Sequence, residues 1–188
     1  EAVHRLAELG LVHARQGGST VVLDPRESAD LRVIDLAYRL GPSTAKDVLD
    51  FTERQALNGH VLLYLAERHA SKSDRERLAA IALEYAQAGA PESELHAFEE
   101  RFWREVARAT KNRICLFEVN WWFRLVGDHP RARHAITAPE RVRAAVLSEL
   151  ARRLASGDDA AGYYLEVAGK MIDHVELGAR RAGERRRR

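Results

Sequence analysis

The stretch Glu92-Ser-Glu-Leu-His-Ala-Phe-Glu-Glu-Arg-Phe-Trp-Arg-Glu-Val-Ala-Arg-Ala-Thr110, followed after Lys111 by Asn112-Arg-Ile-Cys-Leu-Phe-Glu-Val-Asn-Trp-Trp-Phe-Arg-Leu-Val126, decides the fold. In its first half Leu95, Phe98, Phe102, Val106 and Ala109 recur every three or four positions, with Glu99 and Trp103 beside the stripe. That is the period of a helix buried along one side. In the second half Trp121, Trp122 and Phe123 leave a helix in successive directions, about 100° apart, so they cannot all face one core. Three placements accommodate them: the wall of a cavity, a dimer contact, or ordinary packing. Asn120 sits among them, and an amide in apolar surroundings needs a partner from protein, water or ligand.

The same texture extends outward in both directions. Beyond Pro25 the spacing predicts helices over 27–40, 44–70, 73–88, 92–110, 112–126, 138–156 and 159–182, divided by Gly41-Pro42, Gly89-Ala-Pro91, Gly127 to Pro130 and Gly157. Helices joined by short loops make a mostly all-α fold, an antiparallel bundle of six to seven helices over 26–182. The basic segment 183–188 reads as a frayed tail. The first residues differ. Val3, Leu6 and Leu9 have helical spacing and stop at Gly10, Leu11 to Arg15 is extended in character, Gln16-Gly-Gly-Ser-Thr20 supplies a turn, and Val21-Val-Leu23 is β-branched. A helix end followed by a hairpin is the C-terminal part of a winged helix-turn-helix, here over 1–25, and equally an ordinary hairpin attached to a bundle. In the first case His4, Arg5, Arg15, Gln16, Gly17, Gly18 and Ser19 are the candidates to meet DNA, the glycines letting backbone approach the phosphates. No capping residue or polar leader precedes the first helix, so the chain is expected to begin inside a larger domain.

Composition narrows the function classes. The 188 residues include 46% hydrophobic ones, enough for a buried core, and 30 basic against 28 acidic side chains leave a charge of only +2. Binding to nucleic acid would therefore come from a local patch rather than from a global field. A single cysteine, Cys115, allows no internal disulfide and no cysteine-rich zinc cage. No apolar run approaches the roughly 18 to 20 residues that span a bilayer, and no signal-peptide pattern opens the chain, so the expectation is a soluble cytoplasmic protein without a membrane partner. None of His60, His69, His96, His129, His134 and His174 pairs with another histidine at helical ligand spacing. Neither a nucleophile triad nor a phosphate-cradling glycine loop is present, which argues against an enzyme.

Taken together, Glu1-Ala-Val-His-Arg-Leu-Ala-Glu-Leu-Gly-Leu-Val12, the wing ending in Gly17-Gly-Ser-Thr-Val-Val22 and the helical remainder resemble the FadR subfamily of GntR transcription regulators. Arg54, in Thr52-Glu-Arg-Gln-Ala-Leu57, falls where that family has an Arg in the first long helix of its ligand domain. The segment from Phe98 to Asn112 is similar to the family's Asp-x-x-Phe-His segment that ends in Ser-Gly-Asn. The resemblance implies a winged helix joined to a helical effector domain of FCD type, working as a homodimer on palindromic operator DNA. It places Arg54, Trp103, Asn120 and Leu147 at the effector, and Trp121, from the aromatic run, is a candidate beside them. Most members hold a metal on one Asp and three His. Here Glu99 stands at the Asp position, Trp103 and Leu147 at two His positions, and the third falls near 168–170, so neither metal nor other cofactor is expected. That departure resembles the acyl-CoA-responsive branch, and the implied effector is a hydrophobic metabolite such as a long-chain fatty acyl-CoA. The rival reading is a helical protein-interaction module whose Trp-Trp-Phe surface meets a protein and no small molecule.

Overall fold

A computed structural model describes residues 1–14, 17–40, 44–87, 92–128 and 140–186. Among these the chain is mostly all-α, as the periodicity predicts: eight α-helices and one short hairpin. It divides into two compact units, Glu1–Ser43 and Thr44–Arg188.

In the first unit α1 (Ala2–Glu8) ends at Gly10, whose φ of +66° is open to glycine at little cost. The Gly10 amide donates to the Ala7 carbonyl and the Leu11 amide to the Leu6 carbonyl, the paired bonds of a Schellman turn. That turn aims the chain into β1 (Val12–His13), which pairs antiparallel with β2 (Val21–Val22) in the register Val12 to Val22 and His13 to Val21. One expectation needs correction. The helix expected to start at 27 is instead a 3-10 turn, Pro25–Glu27, and then α2, Arg32–Leu40. Asp24 accepts from the Arg26 amide and Asp30 from the Arg32 amide, so each acid opens its own short element rather than one continuous helix. The first unit, Glu1–Ser43, continues beyond the hairpin. Ser28 donates its hydroxyl to the Leu9 carbonyl at 2.7 Å, tying the segment after the hairpin back to the end of α1.

The second unit contains α3 (Ala45–His69), α4 (Lys72–Gln87), α5 (Glu92–Ala109), α6 (Arg113–Asp128), α7 (Glu140–Ser156) and α8 (Ala160–Arg186). Thr44 and Asp47 form a reciprocal capping box that starts α3. Helix α5 is the hub, packed by α3, α4, α6 and α7, and its Leu95, Phe102, Val106 and Ala109 are fully buried. Helix α8 lies along α3, where the Glu67 carboxylate accepts from the Ala160 and Ala161 amides at 2.6 and 2.8 Å. A carboxylate on the bare amides of a helix N-terminus satisfies donors and complements the helix dipole. In the basic segment α8 continues through Gly183 to Arg186, and 187 and 188 lie outside the described residues. Arg, Ala and Glu are strong helix formers, and one interior glycine costs only about 1 kcal/mol. Among the described residues no helix is long and apolar enough to cross a membrane.

Candidate functional site

Four helices of the second unit leave a pocket between them, open on one side and about 40 Å³ in volume. Its α3 wall is Gln55, Asn58, Gly59 and Leu62, which recur at helical spacing; α5 contributes Trp103, α6 contributes Glu118, Val119, Trp122 and Phe123, and α8 contributes Tyr164. Gly59 is where α3 lets Tyr164 in, since a Cβ there would lie 2.3 Å from the Tyr164 Cε1. Trp103 meets Tyr164 edge to face, with centroids 5.2 Å apart and planes at 70°. Trp122 is fixed by stacking on Phe51 at 4.1 Å.

The polar groups of this lining are few. Burial, and next the charge of Glu99, push the Tyr164 phenol far above its ordinary value, so it stays a neutral hydroxyl. The Gln55 Oε1 is buried without a hydrogen-bond partner. Asn58 Oδ1 accepts from the exposed Arg54 guanidinium. Among the described residues no Lys, Arg or His contributes to the lining, and Glu118 is the one carboxylate there.

Of the residues assigned to an effector by resemblance, Trp103 lines this pocket. Arg54 is exposed and reaches it only through Asn58. Asn120 accepts from Arg104 Nε at 2.9 Å, which supplies the partner its amide requires. Trp121 is half-buried on the α6 face that carries the exposed Ile114 and Phe117, whereas Trp122 and Phe123 are buried. The three aromatics thus divide between cavity wall and outer surface. Leu147 is buried in the core and outside the lining. Glu99 forms an ion pair with the buried Arg143 at 2.9 Å. Among the described residues no three His, Cys, Asp or Glu side chains converge as metal ligands.

In the first unit His4 faces Glu8 at 3.4 Å and Arg5 bonds Glu1 at 2.6 Å, all on an exposed helix. Gly17 has a φ of +75° with open space where a Cβ would lie, so the turn's backbone, and not crowding, favours glycine there. Gly18 and Ser19 are exposed beside it. Arg15 and Gln16 lie outside the described residues.

A curated protein of Mycobacterium tuberculosis is similar to this chain along nearly its whole length. It is named an uncharacterized HTH-type transcriptional regulator, and it is 28% identical over 182 residues, which is 96% of this chain and 72% of that protein. No family model matches the chain. No solved structure matches it either.

Most of the lining escaped the sequence reading. Gln55, Gly59 and Leu62 stand at i, i+4 and i+7 on the longest helix before the hub, and a glycine inside such a helix, which costs stability, marks a close approach. Glu118 and Trp122 are likewise i, i+4. Nothing local points to Tyr164, which arrives from a helix about a hundred residues further along.

Proposed function

We propose that this chain belongs to a one-component transcription regulator of the FadR subfamily of GntR proteins, whose helical unit binds a small-molecule effector and thereby changes operator affinity. The observation that carries this reading is the helix, Schellman turn and antiparallel hairpin of 1–23 set in one chain with a separate helical unit that contains a pocket. The 28% identity to an HTH-type regulator over 96% of the chain supports it. In this reading α1 is the end of the recognition helix and the hairpin is the wing, with His4, Arg5, Arg15, Gln16, Gly17, Gly18 and Ser19 meeting operator DNA. Val3, Leu6, Val21 and Leu23 are exposed, and the other helices of a winged helix would cover such side chains. The chain is no enzyme in this reading, its place is the cytoplasm, and it works as a homodimer. Ile114 and Phe117, 54% and 64% exposed on one face of α6, are apolar surface a second copy could bury.

The effector site is the pocket of Trp103, Trp122 and Tyr164, with Arg54 at its rim. A volume of about 40 Å³ has room for a few waters or one small head group. A fatty acyl-CoA would enter only by spreading α3, α5, α6 and α8. Effector and operator are then coupled through whatever difference in affinity the ligand has for the two states of the dimer. Fluorescence anisotropy on operator fragments selected with the full-length protein tests the regulator reading. Arg5→Ala and Arg15→Ala should each weaken binding and lower the salt slope by about 1 if the contact is to phosphate. Unchanged affinity and slope in both variants would refute the groove-and-wing assignment.

A further inference from the structure

Resting on the homodimer reading and going beyond it, we infer that a second copy of this chain packs on Leu57, Val61 and Tyr64 of α3 together with Ile114, Phe117 and Trp121 of α6, and that it thereby closes the open side of the pocket.

Helical phase makes this face. Leu57, Val61 and Tyr64 stand at i, i+4 and i+7 on the solvent side of α3 and are 56%, 50% and 48% exposed. Three large apolar side chains in line on the outside of one helix differ from the scattered single ones of an ordinary surface. On α6 Ile114 and Phe117 are exposed and Trp121 is half-buried, at i, i+3 and i+7. The pocket opens between these two lines. Asn58, half-buried, and Glu118, exposed, bring the lining to the surface on α3 and α6. Val61 follows Asn58 by three positions, and Ile114 and Trp121 stand four before and three after Glu118, so both lines border the opening.

Charge and area choose the occupant. Arg54 and Arg68 flank the α3 line, with the Arg68 Cζ 5.6 Å from the centre of the Tyr64 ring, and Glu53 and Glu118 are exposed on the same two helices. A face that carries both signs can meet its own copy about a two-fold axis, acid opposite base, whereas a face of one sign would repel itself and suit a partner of the other sign. With about half of each of the six side chains accessible, the apolar surface is on the order of 500 Å². That is close to the non-polar share of the roughly 800 Å² each partner gives to a stable interface.

The same helix also walls the pocket through Gln55, Asn58, Gly59 and Leu62, and it is the first helix after the unit that ends at Ser43. A ligand that shifts α3 or the mouth therefore acts on a surface shared with the second copy. By reciprocity, dimerisation changes ligand affinity by the factor by which ligand changes dimerisation.

Sedimentation velocity of the full chain over a dilution series reads the dimer dissociation constant. Val61→Glu and Phe117→Glu, at exposed positions on the two helices, should each raise it at least about thirtyfold. Leu83→Glu, on an equally exposed apolar residue of α4, should leave it within about twofold. Closure has its own readout. In a Trp121→Phe background, acrylamide quenching of Trp103 and Trp122 should rise at least about twofold when Val61→Glu releases the monomer, because an interface core excludes solvent. A dimer that survives both glutamate variants would overturn the face and leave the homodimer reading intact, and unchanged quenching in released monomers would overturn the closure. A chain that stays monomeric at every concentration would overturn both readings and leave the apolar face to a different protein.

Discussion

Gly59→Ala puts one methyl group where the pocket and the core meet. The new Cβ would lie 2.3, 2.6 and 2.7 Å from the Cε1, Cζ and hydroxyl oxygen of Tyr164. Carbon atoms settle at about 3.5 to 4.0 Å, so the ring must retreat by more than 1 Å. Trp103 stands against it, and the nearest slack is the pocket itself. Overpacking of this kind costs about 1 to 3 kcal/mol. Replacing an interior helical glycine by alanine returns about 0.8 to 1.0 kcal/mol. The net expectation is a loss of about 1 kcal/mol, read as a lower urea midpoint at unchanged m-value. Magnitude alone would not isolate the contact, and the same substitution in a Tyr164→Leu background does so. Leucine has no atoms where the tyrosine ring edge lies, so there the alanine should stabilise by its helix propensity, and the sign of the effect reverses. An alanine that stabilises equally in both backgrounds would show that Tyr164 does not press on α3, and the wall described above would be misplaced.

Two further outcomes follow from the charged cluster between α4 and the end of α5. Asp74 is buried and accepts from Lys111 and Ser71 at 2.5 and 2.6 Å, with Arg77 also bonded to it. Burial by itself would raise its pKa, but the hydrogen bonds from Lys111 and Ser71 more than reverse this and hold the carboxyl well below the usual range. A depressed native pKa means that the unfolded chain binds the proton first. Asp74 therefore contributes its full stability above about pH 4, and that contribution fades as pH falls further. Asp74→Asn should cost about 3 kcal/mol at neutral pH and flatten the acid limb of a stability-against-pH curve; an unchanged acid limb would refute the assignment. Lys111 itself holds a φ of 57°, which an L side chain adopts at a cost of about 1 kcal/mol. Lys111→Gly and Lys111→Ala both lose the Asp74 pair, yet the glycine variant should melt higher, and an alanine variant equally stable would contradict the backbone reading.

The sequence made the long helices legible because each is amphipathic over many turns, and it misplaced the start of α2 because a local cap, not periodicity, sets it. An aspartate two residues ahead of an amide can cap a new helix wherever it occurs, and Asp30 does so inside what looked like a continuous pattern. The basic run after 182 has no apolar stripe, yet its composition propagates a helix already nucleated by α8.

The pocket is the harder case, and its partial illegibility has a geometric cause. On α6 the buried positions Cys115, Val119, Trp122 and Val126 recur at i, i+4, i+7 and i+11, which defines the inward face without any knowledge of neighbours. Trp121 is about 100° off that line and turns outward with Ile114 and Phe117, so the choice between adjacent tryptophans was open to periodicity after all. On α3 the corresponding inward line runs through Phe51, Gln55 and Leu62, with Gly59 upon it, and Arg54 stands one residue aside on the exposed surface. A family position therefore marked Arg54, while helical phase marks Gln55. What no phase can provide is the meeting of these two lines with Trp103 and Tyr164, because that depends on how α3, α5, α6 and α8 pack and on the one place, Gly59, where the wall is thin enough to admit an aromatic ring. Two polar members of the wall, Gln55 and Glu118, are ordinary surface polar residues when read in sequence. Gln55 Oε1 loses its partner only when the helices pack around it, whereas Glu118 stays exposed at the edge of the wall.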